Sequence, residues 1–355
     1  MDNHNIDSHK IHLHPDRIEG WRNDPLHTFP IYVEISPVGR CNHRCTFCAV
    51  DYIGYHARQL NMDILKTNLK DMGSHGVKSI MYAGEGEPLL HPDIGEITRG
   101  TKEVGIDVAF TTNAVAMTKR FIDEAVDSIS WIKVSCNAGD AGTYAAIHQT
   151  KEKDWESVWR NISYAVEKKK AGTSIGVQTL LLPDNFKTLD ALAQKCKEYG
   201  VDYLVVKPYS HNLSSITTVY KDIKYRDLYQ SMLTSLKELE SKEFKIVARE
   251  DSMKSWDADD RGYSKCYSTP YFWAYIMATG DVYGCSAYLQ DPRFNYGNIN
   301  SSLFSTIWLG GKRKEAMRFI EEDLNINECR KNCRMDKVNR YLWELKHPDP
   351  HRNFI

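Results

Sequence analysis

The sequence predicts an α/β protein: a partial barrel or open sheet of six βα units, followed by a smaller, cysteine-rich α+β unit. Three observations predict it. Short apolar, β-rich runs alternate with stretches of helical periodicity from residue 31 to about 206, a rhythm that builds a parallel sheet with crossover helices. The rhythm stops after six units, two short of a closed eight-stranded barrel. From about Gly262 the character changes, with four cysteines, a Gly280-Asp281 turn and many aromatics.

Residues 1–30 come first, His-rich and punctuated by Pro15, Pro25 and Pro30. They are expected to form a solvated or loosely packed N-terminal arm, since His4, His9, His12, His14 and His27 share no ligand spacing. The barrel is assigned to 31–210, with strands expected at 31–35, 79–83, 107–111, 129–135, 175–182 and 203–206. Met62, Leu65, Leu69 and Met72 fit one helical face, as do Leu189, Leu192, Ala193 and Cys196. A polar connection, an amphipathic helix (Leu228, Met232, Leu233, Leu236, Leu239) and a short strand at 244–248 fill 211–261. The small domain takes 262–345, and 346–355 form a C-terminal tail.

Of the 355 residues, 42% are hydrophobic and 26% charged, enough for a packed core. Lys+Arg 46 against Asp+Glu 47 removes the overall positive charge of a nucleic-acid coat protein. There is no run of 18 apolar residues and no apolar segment of a secretory signal near the start. A cytoplasmic protein with neither a nucleic-acid nor a membrane partner is expected. Nine cysteines in that compartment point to metal or redox chemistry rather than to disulfides.

Cys41, Cys45 and Cys48 follow the first strand as Cys-x3-Cys-x2-Cys. Three thiolates on one loop can grip one face of a four-iron cluster and leave one iron open, as catalysis requires. The alternatives are three of four zinc ligands, or free thiols on a flexible loop. After the second strand, Gly84-Glu85-Gly86-Glu87-Pro88 sets backbone groups and a carboxylate at a strand end, which suits an ammonium ligand.

With Phe47 just before the third cysteine, the triplet resembles the signature of the radical S-adenosylmethionine (radical SAM) enzymes. The Gly84–Glu85–Gly86–Glu87–Pro88 stretch is similar to their Gly-Gly-Glu-Pro element, with Glu85 in place of its first glycine. Thr112, Asn113, Ser135, Gln178 and Lys207 at later strand ends look family-like too. The resemblance implies a partial (β/α)6 TIM-like barrel with a 4Fe–4S cluster on Cys41, Cys45 and Cys48. It further implies S-adenosylmethionine held by Phe47, Gly84, Glu85, Gly86, Glu87, Thr112, Asn113, Ser135, Gln178 and Lys207. A one-electron donor such as flavodoxin or ferredoxin is then a partner. Reductive cleavage yields methionine and a 5′-deoxyadenosyl radical, which takes a hydrogen atom from the substrate.

Cys266, Cys285, Cys329 and Cys333 fit either a zinc ribbon or a second iron–sulfur cluster by spacing alone. Their setting resembles a twitch or SPASM-type auxiliary-cluster domain: a Gly280-Asp281-Val282 hairpin before Cys285, Gly297-Asn298-Ile299, Ile307-Trp308, then the closing cysteine pair. Four cysteines match the one-cluster twitch form. The resemblance thus implies a second 4Fe–4S cluster, fully ligated and suited to electron transfer. It covers about residues 31–340.

Two cysteines remain. Cys196 is expected to be a small buried hydrophobe. Cys136, beside Ser135, is either buried in the sheet or a hydrogen-atom donor to a substrate radical. Only about 30 residues precede the first strand, too few for the leader-peptide-binding domain common among peptide-modifying relatives. A small polar substrate is therefore expected: a sugar, aminocyclitol or nucleotide-linked sugar from carbohydrate biosynthesis, dehydrogenated at an alcohol. Sugar epimerisation, peptide maturation and a zinc-stabilised binding module are the alternatives.

Overall fold

Strand alternation decides where everything else in this molecule goes. A computed structural model describes residues 6, 8–258 and 261–354. Its strands among those residues are β1 (Tyr32–Ile35), β2 (Ser79–Tyr82), β3 (Asp107–Thr112), β4 (Ile129–Ser135) and β5 (Ser174–Leu180). They continue with β6 (Tyr203–Lys207), β7 (Lys245–Ala248), β8 (Trp273–Ile276), β9 (Asp281–Tyr283) and β10 (Asn295–Asn298). All ten form one sheet in the order β10-β9-β8-β1-β2-β3-β4-β5-β6-β7. Pairing is parallel from β8 through β1 to β7, and antiparallel from β8 to β9 and β9 to β10.

Val33, Ile35, Ile80, Val108, Phe110, Ile132, Val134, Ile175, Val177, Leu204 and Val206 are fully buried against the crossover helices. Burying each such side chain is worth roughly 1.5–3 kcal/mol. The helix Met62–Ser74 begins where the Asn61 side chain accepts from the Asp63 and Ile64 amides, and it buries Leu65, Leu69 and Met72. Leu189, Leu192, Ala193 and Cys196 bury together on Leu189–Glu198, as their spacing predicts. Alternate residues of the parallel strands point to the opposite, concave face, where Glu34, Ser135 and Gln178 lie among apolar side chains such as Met81.

Three features differ from the sequence reading. The strand near 245 joins β6 in parallel register, so the sheet has a seventh βα strand rather than six. The small domain is not a separate sheet, because β8 pairs with β1 and its hairpin continues the barrel's edge. The turn of that hairpin uses Gly280 at φ +86, where a Cβ would meet Asn300 Nδ2 at 2.5 Å. Lastly, the N-terminal arm is packed. Its helix Pro15–Asn23 buries Trp21 against Tyr267, Tyr271 and Phe272. Trp308 Nε1 and Arg313 Nη1 donate to the Thr28 and Leu26 carbonyls at 2.8 Å.

Met232 and Leu236 are buried on the connecting helix Arg226–Glu238, whereas the side chains of Leu228 and Leu233, like His4, lie outside the described residues. No helix among the described residues is long and apolar enough to cross a membrane.

Candidate active site

The concave face of the sheet lines a cavity of about 970 Å³, open mouth included. Its floor takes one inward residue from each of several strands: Glu34, Met81, Thr111, Ser135, Gln178, Lys207 and Tyr275. Register explains the row, since Glu34 lies opposite Met81 and Tyr275, and Ser135 opposite Gln178. Phe47 and Cys48 from the loop after β1 form one rim, and Ser286, Arg330 and Arg334 from the auxiliary domain form another.

All nine cysteines are free thiols. The loop carrying Cys41, Cys45 and Cys48 is clamped on both sides. The amides of Arg44 and Thr46 donate to the carbonyls of His148 and Ile147 at 3.2 and 2.9 Å, and the Glu87 amide donates to the Arg40 carbonyl at 2.9 Å. Gly86 lets this last contact form, because a Cβ there would meet the Val38 carbonyl oxygen at 2.2 Å. Burial pushes all three thiols up, Cys41 to about 12; Cys48 raises Cys41 further, and both raise Cys45. Three buried thiolates this close require a cationic partner.

His148 is buried and neutral, its pKa held low first by burial and then by His43. Its Nε2 accepts the Asn137 amide at 3.2 Å, so the ring proton sits on Nδ1, which faces Cys45 Sγ at 3.3 Å. His43, Cys45 and His148 bring ligand atoms within 4.8 Å of one another. With both His148 nitrogens engaged, the imidazole acts as a hydrogen-bond donor to the sulfur rather than as a ligand. A soft all-thiolate set of three, with Cys48 opening on the cavity, fits an iron–sulfur cluster with one open iron.

The residues expected to hold S-adenosylmethionine divide into two groups. Phe47, Gly84, Ser135, Gln178 and Lys207 line the cavity. Gly84 has φ +116, and a Cβ on it would lie 2.4 Å from Ser36 Cβ and 2.7 Å from the Tyr275 hydroxyl. Glu85, Gly86, Glu87, Thr112 and Asn113 stand behind the cavity wall, and they brace it. Glu87 is fully buried, accepting from Thr112 Oγ1 at 2.5 Å and from the Asn113 and Leu89 amides at 2.8 and 3.2 Å. Burial lifts its carboxyl to about 7. Alternation places Thr111, not Thr112, on the cavity face. Asn113 Nδ2 reaches Asn42 on the cysteine loop at 2.7 Å. Glu85 accepts the Ala278 amide at 2.9 Å through one oxygen, while the other is buried without a partner.

Cys136 needs a correction. It is fully buried among the core side chains on the helix-facing side, its thiol turned 3.8 Å from the Ala138 carbonyl, and it does not line the cavity. The period of two that points Ser135 inward points Cys136 outward.

Cys266, Cys285, Cys329 and Cys333 surround a second cavity of about 470 Å³. The Ala287 amide lies 3.4 Å from Cys285 Sγ and the Tyr288 hydroxyl 3.3 Å from Cys329 Sγ. Burial pushes Cys329 to about 11 and Cys285 higher still. Four thiols around one space fit a closed, fully ligated cluster. Arg330 lines both cavities.

Several wall residues escaped the sequence reading: Glu34, Tyr275, Arg330, Arg334, and His148 behind the wall. Glu34 is buried and ion-paired with Arg334, whose Nη1 also lies 2.9 Å from the Tyr32 hydroxyl. A charge in the middle of the apolar run Tyr32-Val33-Glu34-Ile35 was the available signal.

Residues 35–196 match the model of the Radical SAM superfamily, and residues 266–334 match that of an iron-sulfur cluster-binding domain. The chain thus carries a Radical SAM domain followed by a SPASM/twitch iron–sulfur domain. S-adenosylmethionine, a 4Fe–4S cluster and auxiliary iron–sulfur chemistry come with that pair of domains. One similar protein is the tungsten-containing aldehyde ferredoxin oxidoreductase cofactor-modifying protein of Pyrococcus furiosus, 24% identical over 321 residues, or 84% of this chain and 85% of that one. A GTP 3′,8-cyclase of Chlorobaculum tepidum is 30% identical over 188 residues, 50% of this chain and 54% of the relative. Among solved structures, Streptococcus suis SuiB bound to S-adenosylmethionine superposes with TM-score 0.65 at 18% identity, covering 87% of this chain and 72% of SuiB. anSMEcpe with bound AdoMet gives 0.58 at 15%, covering 88% of each chain. At those identities the likeness is one of fold.

Proposed function

We propose that this chain is a radical SAM oxidoreductase that dehydrogenates an alcohol carbon of a small polar substrate. The carrying observation is the pair of cavities: a polar one facing a three-thiol loop, and a four-thiol one beside it, sharing Arg330. Cys41, Cys45 and Cys48 would hold the catalytic cluster, and Cys266, Cys285, Cys329 and Cys333 the auxiliary one. When bound, the cofactors supply hydrogen-atom abstraction from an unactivated carbon and a sink for a second electron.

The chain's own part is binding, orientation and exclusion of water. Phe47 and Gly84 flank the cofactor's end of the cavity, and Ser135 and Gln178 offer hydrogen bonds to hydroxyls across the floor. Met81, Ala83 and Leu180 make the rest of that floor dry. Burial of Cys136 supports dehydrogenation over epimerisation, since no cysteine other than Cys48 lines the cavity among the described residues. The relatives' names, one citing GTP and the other cofactor modification, favour a small molecule, such as a nucleotide-linked sugar, over a peptide. A one-electron donor of flavodoxin or ferredoxin type completes the scheme.

The test is anaerobic reconstitution with dithionite and S-adenosylmethionine, followed by a screen of sugars and nucleotide sugars. The reading expects 5′-deoxyadenosine in step with a product two hydrogens lighter, and neither from Cys41→Ala. A product of unchanged mass and inverted configuration would replace it with epimerisation.

A further inference from the structure

We propose that the substrate carries a phosphoryl group, held by Lys207 and Arg330 where the barrel meets the auxiliary domain. This deepens the reading above and rests on it. Lys207 ends β6 and projects into the cavity, and its ammonium meets no acceptor among the described residues. Arg330 donates through Nη2 to Ser286 Oγ at 2.8 Å, and its Nε is buried without a partner. Neither cation has a carboxylate within ion-pair distance among the described residues. The wall's one carboxylate there, Glu34, is already matched to Arg334. Lys207 is therefore left without a counter-charge on this wall, and Arg330, which also borders the four-thiol cavity, keeps an unpartnered Nε, an arrangement that is costly until an anion arrives.

The two side chains are held together by their loops. Ser210 Oγ donates to the carbonyls of Lys331 and Asn332 at 3.3 Å each, and Asn332 Nδ2 donates to the carbonyls of Pro208 and Tyr209 at 3.4 and 3.3 Å. The segment after Lys207 is thus stitched to the segment after Arg330. Burial, then the nearby cations Arg249, Lys133, Arg334 and Arg330, hold the Lys207 ammonium well below the usual lysine range. A bound anion reverses that penalty.

Charge selects the ligand class. A carboxylate brings one negative charge, whereas a phosphate monoester brings about 1.5 to 2 at neutral pH, with several acceptor oxygens for two donors. An adjoining pocket of about 670 Å³ shares Arg334 with this cavity. That added room suits a diphosphate.

The experiment uses the reconstituted holoprotein, with inorganic pyrophosphate as probe and S-adenosylmethionine affinity measured on the same samples. Wild type should bind pyrophosphate, Lys207→Met should bind it about tenfold more weakly, and Lys207→Arg should retain most of the affinity. Affinity for S-adenosylmethionine, read on the same samples, separates a phosphoryl site from a cofactor site. Iron per chain checks that each variant is loaded, and Arg330→Gln provides the second reading should Lys207→Met fail to load. Absent binding in wild type, or equal binding in the variants, overturns the proposal. So does a loss confined to S-adenosylmethionine affinity, which assigns Lys207 to the cofactor. Formation of 5′-deoxyadenosine without substrate, read separately, tests the radical SAM reading and is independent of pyrophosphate binding.

Discussion

The two cysteine sites solve different problems with the same side chain. In the barrel, three thiols sit within eight residues of one loop, and Cys48 opens on the substrate cavity. In the auxiliary domain, four thiols come from separated segments and close around their own space. Side chains approach both sets, the buried His148 imidazole at Cys45 and the Tyr288 hydroxyl at Cys329. The difference is one of openness: a three-ligand site leaves an iron for chemistry, while a four-ligand site leaves none.

Removing ligands breaks the comparison most severely. Cys41→Ala should abolish 5′-deoxyadenosine formation and lower iron from about eight to about four per chain. Cys329→Ala should instead spare that reaction in the absence of substrate. Iron analysis and product chromatography read both.

The brace behind the barrel site comes next. Glu87→Ala leaves the buried Leu89 and Asn113 amides without acceptors and should cost about 3 kcal/mol in urea denaturation. The pH dependence has a definite sign. The folded carboxyl is raised to about 7 from an ordinary 4.5, so its contribution is fully present below the unfolded value and is lost as pH rises through about 7. Wild type should therefore lose stability between pH 5 and 8 relative to Glu87→Gln (roughly that window). A parallel pair of pH profiles would remove Glu87 from the account.

Hydrogen bonds to sulfur should matter less, and selectively. A donor to a ligating thiolate raises a cluster's reduction potential. His148→Phe should lower the barrel cluster's potential by tens of millivolts, on the order expected for losing one hydrogen bond to a ligand sulfur, and leave the auxiliary one in place. Tyr288→Phe should do the reverse, and redox titration followed by electron paramagnetic resonance separates the two. Smallest of all, Cys136→Ala should leave product formation unchanged, because its thiol faces the core.

The same comparison explains what could be read from sequence. The barrel's ligands are local, so Cys41, Cys45 and Cys48 were visible as a spacing, and strands β1 to β6 as alternating or apolar runs. The Glu85 to Glu87 stretch was visible as well, but its role depends on which way each side chain points. Contacts such as Glu87 to Thr112 arise only once β2 and β3 pair. Arg334 lies 300 residues from Glu34 in the chain and meets it only through folding, and Arg330 reaches the same cavity in the same way, so nothing local marked them. β7 was missed as a barrel strand because a polar connection interrupts the rhythm before it. The N-terminal helix was missed because Trp21 is its one buried residue.

The most direct test of the two-site account is electron paramagnetic resonance of the reduced, fully loaded protein with and without S-adenosylmethionine, on wild type, Cys41→Ala and Cys329→Ala. The account predicts two cluster signals, of which only one changes on adding the cofactor, that one being absent from Cys41→Ala and present in Cys329→Ala. A cofactor-responsive signal that survives Cys41→Ala, or disappears with Cys329→Ala alone, would contradict it.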